Sequence, residues 1–229
     1  MARALAEAGA SLILWARDAT RLRRVAASLP SSARVLIQPV DVTDHAQVRR
    51  ALRQALTRFT RLDLLINNAG IWDGDEALRL TRRQWDAVVE TDLTAAFFVS
   101  QAVAPAMRRR RYGKIINIAS TSGVRALAHN AVYGPVKAGL MHLTRILALE
   151  WGPYGIRVVG IAPGLFRTDM TRELFADRAW LSRRRAEIPL RRVGEPEDLA
   201  GLAVFLASGA SDHLTGQTII IDGGASLTT

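Results

Sequence analysis

The apolar residues of this chain are concentrated in six short runs that alternate with longer amphipathic stretches. Because each run is almost continuously apolar, it predicts a β-strand buried on both faces. The stretches between the runs are long enough to form helices that cross over to the next parallel strand. The predicted strands span residues 11–16, 35–40, 62–67, 114–119, 156–161 and 218–221, and the predicted helices span residues 20–29, 46–59, 83–109, 131–151 and 197–208. This alternation predicts an α/β protein with a doubly wound parallel sheet.

Two segments depart from the simple alternation. Residues 1–8 predict a helix that ends at Gly9, although no strand, glycine-rich turn or capping residue precedes it, so the chain begins inside a helix. Residues 168–192 form an arginine-rich connection that is too long for an ordinary loop. We interpret it as a helical flap over a binding site; the alternative is an amphipathic helix with no gating role.

Composition narrows the classes of function. The chain has 229 residues, of which 49% are hydrophobic, and this suits one compact domain over residues 1–229. No run reaches the roughly 18 to 20 apolar residues that a membrane helix needs, and no signal-peptide pattern is present, so we expect a cytoplasmic protein with no membrane partner. The absence of cysteine excludes disulfides and thiolate chemistry. The histidines lack metal-ligand spacing, so we expect no metal.

The formal net charge of +10 comes from arginine, because only two of the 31 basic residues, Lys114 and Lys137, are lysines. Such a surplus is compatible with nucleic-acid binding, with an anionic cofactor or with a solvated arginine-rich surface. The basic residues are spread along the chain rather than gathered in one tail. We therefore expect no nucleic-acid partner.

Candidate catalytic residues follow the fourth predicted strand, at the edge of the sheet where ligands of such folds bind. Ser120 comes directly after the strand, and Tyr133 and Lys137 occupy positions i and i+4 of the next predicted helix. This spacing places the two side chains on one helix face, where the ammonium favours the phenolate. Because a free phenol has a pKa of about 10, a neighbouring cation makes it usable as an acid and base.

Further motifs follow the other strands, and together with Ser120, Tyr133 and Lys137 they resemble the short-chain dehydrogenase/reductase family over essentially the whole chain. They are Asn67-Asn68-Ala69-Gly70, Pro163-Gly164 with Thr168, Gly216-Gln217 and Asp222-Gly223-Gly224. The resemblance implies a Rossmann-like sheet of strand order 3-2-1-4-5-6-7 and a nicotinamide dinucleotide cofactor. It also implies a small-molecule substrate with a carbonyl or secondary alcohol, and a homo-oligomer, either a tetramer or a dimer.

The resemblance assigns roles to individual residues. Tyr133 would protonate the substrate oxygen as hydride reaches the carbon, Ser120 would bind that oxygen, and Lys137 would hold the nicotinamide ribose and favour ionisation of Tyr133. The implied cofactor contacts are Asp41 and Val42 at the adenine, Asn68, Ala69 and Gly70 at the adenosine ribose, the backbone of Pro163, Gly164 and Phe166 at the nicotinamide, and Thr168 at its carboxamide. For Asn68 and Thr168, a turn or cap role is the alternative.

Arg17 bears on the choice of cofactor. In this type of fold, a carboxylate after the second strand accepts hydrogen bonds from the ribose 2′-hydroxyl of NAD. This chain has Ala16 and Arg17 at that place, after its own first strand, and a guanidinium can bind a 2′-phosphate. We therefore expect NADP, with NAD as the alternative, in which case Arg17 is a solvated surface residue.

The chain departs from the family pattern in two places. A first strand followed by the phosphate-binding loop TGxxxGxG is missing, and in the family order that strand lies between those at residues 11–16 and 62–67. Three interpretations follow: the sequence is a fragment or has a misassigned start, the short chain is inactive or partnered, or it binds cofactor in a new way. The second departure is Asp92, which replaces the usual Asn of a proton relay behind the lysine and predicts reduced or pH-shifted activity.

Two substrate classes are candidates. Residues 164–201, together with 94–103, look like family members that act on sugar acids, such as gluconate 5-dehydrogenases, and the 3-oxoacyl-acyl-carrier-protein reductases are also similar. The arginines at 183, 184 and 185 suit a carboxylate or an acidic carrier protein; the alternative is that they bind no ligand. The alternative to an enzyme is a catalytically silent interaction subunit that keeps the oligomer surfaces of the family.

Overall fold

The computed structural model describes residues 1–227, in which six parallel strands carry helices on both faces. The strands are β1 (Leu12–Ala16), β2 (Val35–Pro39), β3 (Leu64–Asn67), β4 (Gly113–Ile118), β5 (Ile156–Pro163) and β6 (Thr218–Ile221). The helices are α1 (Ala2–Glu7), α2 (Ala19–Ala27), α3 (His45–Phe59), α4 (Arg82–Val89), α5 (Ala95–Arg110), α6 (Tyr133–Trp151), α7 (Arg178–Glu187) and α8 (Ala200–Ala207). The predicted α/β class is confirmed.

The strands form two parallel sheets. β1 pairs with β2, and β3, β4, β5 and β6 pair in that order, as predicted for the strands that are present. Within residues 1–227, no backbone pairing joins β1 to β3, and this is the position at which the family resemblance predicts one further strand. Side chains still connect the two sheets, because Leu64 and Ile66 of β3 pack against the buried cluster that contains Leu5 and Leu12.

Helices cover the larger sheet on both faces. On one face, α3, α5 and α6 bury Leu52, Val103 and Leu147 against strands β4 and β5. On the other face, Leu206 of α8 packs against Ile116 and neighbouring side chains of the same strands. Because the strands are buried on both sides, their side chains are almost all apolar, which is why the sequence pattern identified them.

A π-helical turn interrupts the long helix predicted before β4. Residues Glu90–Thr94 join α4 to α5 in this geometry, and the wider turn rotates Asp92 into the interior, where it is 1% exposed. By length and composition alone, Arg82–Arg110 qualifies as a candidate membrane span. Its apolar character has a structural explanation, because Val103 and Met107 are buried against the sheet.

The connection over residues 168–192 contains a short 3-10 turn and helix α7. Asp177 begins α7 by accepting a hydrogen bond from the backbone N–H of Trp180 at 2.9 Å. Leu181 and Ile188 anchor the segment by packing with Val193. The helical part of the prediction is confirmed, and its role as a flap stays a prediction.

Gly155 forms the tight turn that leads into β5. Its φ is +76°, and a Cβ at this position would lie 2.1 Å from the carbonyl oxygen of Arg111. We expect Gly155→Ala to lower the free energy of unfolding by about 2 kcal/mol or more, because the new methyl group meets backbone and the left-handed conformation is strained. Urea unfolding followed by circular dichroism measures the change.

Gly201→Ala is the matched control for this substitution. Gly201 lies in α8, and a Cβ added there would meet no atom within 4 Å. Its replacement should leave stability unchanged or raise it by about 0.5 to 1 kcal/mol, because alanine is the better helix former. Equal effects of the two substitutions would contradict the steric explanation for Gly155.

Candidate active site

The predicted site residues lie along the carboxyl edge of the two sheets, because all six strands run in the same direction. Arg17 follows β1, Asp41 lies just beyond β2, and residues 68–70 follow β3. Ser120 follows β4, and the loop that carries Thr168 leaves β5. This edge is where open α/β sheets bind their ligands.

Ser120, Tyr133 and Lys137 form the centre of the site. Tyr133 is the first residue of α6, and the ammonium nitrogen of Lys137, one turn later, lies 5.4 Å from the centroid of the tyrosine ring. The side chain of Ser120 lies close enough to the phenol to lower its pKa, and it accepts a hydrogen bond from the backbone N–H of Ser122 at 3.1 Å. The structure therefore brings together the three side chains that the sequence singled out.

Lys137 is fixed between β4 and the π-helical turn. Its ammonium donates a hydrogen bond to the carbonyl oxygen of Ile118 at 2.9 Å and lies 3.1 Å from Oδ2 of Asp92. The other carboxylate oxygen of Asp92 accepts a hydrogen bond from the backbone N–H of Ile71 at 2.8 Å. Burial raises the pKa of Asp92 above its ordinary value, although the Lys137 ammonium and the Ile71 N–H act in the opposite direction.

The phenol of Tyr133 holds its proton tightly. Burial raises its pKa to about 12, the negative charge of Asp92 acts in the same direction, and the nearby side chain of Ser120 opposes both. The sequence-based expectation of a lowered pKa is not met in the structure, because burial raises this pKa most and the negative charge of Asp92 adds to the effect. At neutral pH, the phenol of Tyr133 is therefore protonated.

The Asn67–Gly70 motif has two structural tasks. The side-chain amide of Asn67 donates hydrogen bonds to Ser100 Oγ at 2.9 Å and to Asn117 Oδ1 at 2.8 Å, which ties β3 to α5 and β4. Gly70 makes room for Asp92, since a Cβ on Gly70 would lie 2.8 Å from Oδ2 of that carboxylate. Asn68 and Ala69 are exposed at the sheet edge, and their contacts with a cofactor stay a prediction.

An exposed arginine, Arg17, follows β1, and a turn closed by Asp41 follows β2. Arg17 is exposed and makes no ion pair or hydrogen bond with any other residue in 1–227. The next residue, Asp18, caps α2 by accepting hydrogen bonds from two backbone N–H groups at 2.8 and 3.0 Å, and these bonds lower its pKa. Asp41 closes a turn by accepting from the backbone and hydroxyl of Thr43 at 3.0 and 2.7 Å, next to half-buried Val42.

The loop after β5 completes the edge. Pro163 and Gly164 are half-buried, whereas the Phe166 side chain is 5% exposed and belongs to the core. Thr168 is exposed, and its backbone N–H donates to the hydroxyl of Thr171 at 3.0 Å. Phe166 can therefore face a ligand through its backbone only, as the resemblance implies.

Sequence reasoning missed the backbone groups that hold the centre of the site. The N–H of Ile71 and the carbonyl of Ile118 fix the buried ion pair, yet neither residue type signals such a role. The ion pair between Asp92 and Lys137 was also missed. The signal for it was a carboxylate within an apolar helix of a chain that has only two lysines.

Comparison with known proteins agrees with this geometry. Residues 1–226 match the family model described as enoyl-(acyl carrier protein) reductase. Gluconate 5-dehydrogenase of Gluconobacter oxydans (strain 621H) is 38% identical over 98% of this chain and 88% of its own length. The 3-oxoacyl-(acyl-carrier-protein) reductase of Escherichia coli (strain K12) is 35% identical over 98% of this chain and 90% of its own.

A solved structure gives the same result. Gluconate 5-dehydrogenase from Burkholderia cenocepacia J2315, in complex with NADP and tartrate, is 37% identical and superposes with a TM-score of 0.91. The match covers 100% of this chain and 90% of that one. Sequence motifs, fold and relatives therefore agree that the chain belongs to the short-chain dehydrogenase/reductase family of oxidoreductases.

Proposed function

We propose that the chain, as one domain, transfers hydride between NADP(H) and a carbonyl or secondary-alcohol substrate. The observation that carries this proposal is the arrangement of the Tyr133 phenol, the Ser120 hydroxyl and the buried Lys137 ammonium at the carboxyl edge of the sheet. A protonated phenol beside a second hydroxyl donor suits the reduction of a carbonyl group, because both can act on the same oxygen.

The residues along the edge fit a dinucleotide in their chemistry. Arg17 has free donors for a 2′-phosphate, and Asp41 and Val42 would hold the adenine. Asn68, Ala69 and Gly70 would border the adenosine ribose, and the backbone from Pro163 to Phe166, with Thr168, would face the nicotinamide. The residues present supply contacts for the adenosine and nicotinamide ends, and the resemblance gives none for the pyrophosphate.

Each side chain at the centre has a distinct task. When bound, NADPH supplies the hydride that adds to the carbonyl carbon. Tyr133 donates its proton to the carbonyl oxygen, and Ser120 donates a hydrogen bond to the same oxygen as negative charge develops there. Lys137 would hold the nicotinamide ribose through its ammonium. In the oxidative direction, the Tyr133 phenolate takes the proton of the alcohol.

Arg17→Ala tests the choice of cofactor. We expect the Kd for NADPH to rise about tenfold or more, because a charge-assisted hydrogen bond to phosphate is lost. The Kd for NADH should stay unchanged, since NADH has no 2′-phosphate. Titration of the tryptophan fluorescence with each cofactor measures both constants. Arg24→Ala removes another exposed arginine, from α2, and serves as the control. If the affinities for NADPH and NADH fell equally, or if neither fell, the proposed role of Arg17 would be contradicted.

Of the two substrate classes, we propose a sugar acid. The relative with gluconate 5-dehydrogenase activity matches nearly the whole chain, and the superposed structure carries NADP together with tartrate, a hydroxy acid. The test compares NADPH-dependent reduction of 5-keto-gluconate with reduction of an acetoacetyl thioester. A higher kcat/KM for the sugar acid supports the proposal, and a higher value for the thioester favours the 3-oxoacyl class. A chain that neither binds NADPH nor turns over either compound would be the silent subunit instead.

We also infer a cytoplasmic homo-oligomer, either a tetramer or a dimer. Support comes from apolar side chains that lie open on helices α5 and α6, namely Phe98, Ile146 and Leu149, the last of which is 77% exposed. Such side chains are commonly covered by a second subunit. Sedimentation velocity distinguishes a tetramer, a dimer and a monomer.

A further inference from the structure

We propose that Asp92 is a positioning residue that cancels much of the Lys137 charge at the phenol of Tyr133, so that the site keeps its acid protonated and works as a proton donor at neutral pH. This proposal rests on the proposed function, in which Tyr133 is the acid. It goes further by naming a charged group that, in addition to burial, keeps Tyr133 protonated.

The ion pair is buried and held on both sides. The side chains of Asp92 and Lys137 are 0% and 5% exposed, and their charged atoms lie 3.1 Å apart. The ammonium also donates to the Ile118 carbonyl, and the carboxylate accepts from the Ile71 N–H. Neither charge can move away to water, so Asp92 faces Lys137 at close range whenever the chain is folded.

Two local features bring the carboxylate to this place. The π-helical turn Glu90–Thr94 rotates Asp92 toward α6. Gly70 leaves the space that the carboxylate fills, because any larger residue would put a Cβ 2.8 Å from its Oδ2. Since π-helical turns are rare and occur mostly at functional sites, this turn supports a functional role for Asp92.

The charges that face Tyr133 come from two elements. Asp92 lies on the π-helical turn and Lys137 on α6, while Ser120 adds a hydroxyl from the loop after β4. Tyr133 also packs against an apolar cluster formed by Val88, Val132 and Val136, and Ile71 and Leu93 pack against the same cluster. In such surroundings, an isolated ammonium would strongly favour the phenolate, whereas opposite charges 3.1 Å apart act on the phenol as a dipole.

The consequence for catalysis differs between the two directions. Reduction needs the protonated phenol, which the ion pair preserves. Oxidation needs the phenolate, so its kcat/KM should rise with pH over a range well above neutrality. Asp92→Asn keeps the shape of the side chain and its acceptor for Ile71 but removes the charge. The Lys137 ammonium would then be uncompensated, and Tyr133 should ionise at lower pH.

The experiment measures ionisation of Tyr133 directly, without substrate or cofactor. The chain has three tyrosines, so 13Cζ-tyrosine NMR gives three signals, and Tyr133→Phe assigns the relevant one. At an alkaline pH well below both midpoints, we expect the ionised fraction of Tyr133 to be about tenfold higher in Asp92→Asn, equivalent to a midpoint lowered by about one pH unit. An ionised fraction equal to or below that of the parent chain overturns the proposal.

Two controls keep the result interpretable. Asp86→Asn removes an exposed carboxylate from α4 that pairs with Arg82, and it should leave the Tyr133 signal unchanged. Asp92→Ser also removes the charge, and it replaces Asp92→Asn if that variant does not fold.

The stability of the fold depends on pH in the range of the titration. Because the pKa of Tyr133 is raised, the folded state keeps a proton that the unfolded chain loses, so the free energy of unfolding falls as pH rises from about 10 toward 12. Circular dichroism therefore confirms the folded state at every point.

A kinetic readout separates this proposal from the proposed function. In Asp92→Asn, the rise of oxidative kcat/KM with pH should move to lower pH by the same interval as the NMR titration. A change in stability alone, with both profiles unmoved, would show that Asp92 only holds the fold and would overturn the proposal. If the NMR shift occurs but the chain reduces no carbonyl compound, the charge relation stands and the proposed function fails.

Discussion

Tyr133→Phe is expected to lower kcat for carbonyl reduction by about 1,000-fold or more, because it removes the proton donor at the substrate oxygen. The affinity for NADPH should stay close to that of the parent chain, since the substitution leaves Lys137 and the edge residues in place. The phenyl ring preserves the packing against Val88, Val132 and Val136, so the fold should not change. Steady-state rates and cofactor titration on the same preparations measure the two effects.

The matched control is Tyr154→Phe. Tyr154 lies beyond the end of α6, where its ring centroid is 4.1 Å from the guanidinium carbon of Arg108. Loss of this hydroxyl should leave kcat unchanged. If Tyr133→Phe kept more than about a tenth of the parent rate, the proton would have to come from another group, and the assignment of Tyr133 would be wrong.

The sequence predicted the elements of this fold well because burial dictates their composition. Buried parallel strands such as β4 and β5 must be apolar on both faces, so their positions are visible without a structure. The pairing of Tyr133 with Lys137 was equally accessible, because four residues along a helix bring two side chains to one face. Both predictions depend on the regular geometry of a single strand or helix, which the local sequence determines.

The sequence did not predict the ion pair between Asp92 and Lys137. The apolar pattern before β4 is that of an uninterrupted helix, and it gives no signal of the π-helical turn that directs Asp92 inward. The contact between Asp92 and Lys137 joins residues that are distant in sequence, and no periodicity encodes it. The sequence predicted a lowered pKa for Tyr133, whereas in the folded chain burial of the phenol, together with the charge of Asp92, raises it.

Lys137→Met is expected to lower the free energy of unfolding by about 3 to 5 kcal/mol at neutral pH, because it leaves the buried carboxylate of Asp92 without its partner. Burial already raises the pKa of Asp92, and loss of the ammonium removes the main opposing influence. The folded variant will then bind a proton at Asp92 more tightly than the unfolded chain does. Its stability should therefore fall as pH rises from about 4, and the deficit should be smallest in acid. Urea unfolding at several pH values measures this dependence.

Lys114→Met is the control for Lys137→Met, because it also removes a buried lysine but leaves Lys137 in place. Lys114 is also buried, and its ammonium lies 2.8 Å from Asp212 Oδ1, but it lies near the start of β4, at the opposite edge of the sheet. Its removal should lower stability while cofactor affinity is kept, whereas Lys137→Met should lose both. Adding Asp92→Asn to Lys137→Met should restore most of the stability, because it removes the unpaired buried charge. It should not restore activity, because the double variant still lacks the ammonium that would bind the cofactor. A double variant no more stable than Lys137→Met would show that the deficit comes from packing instead.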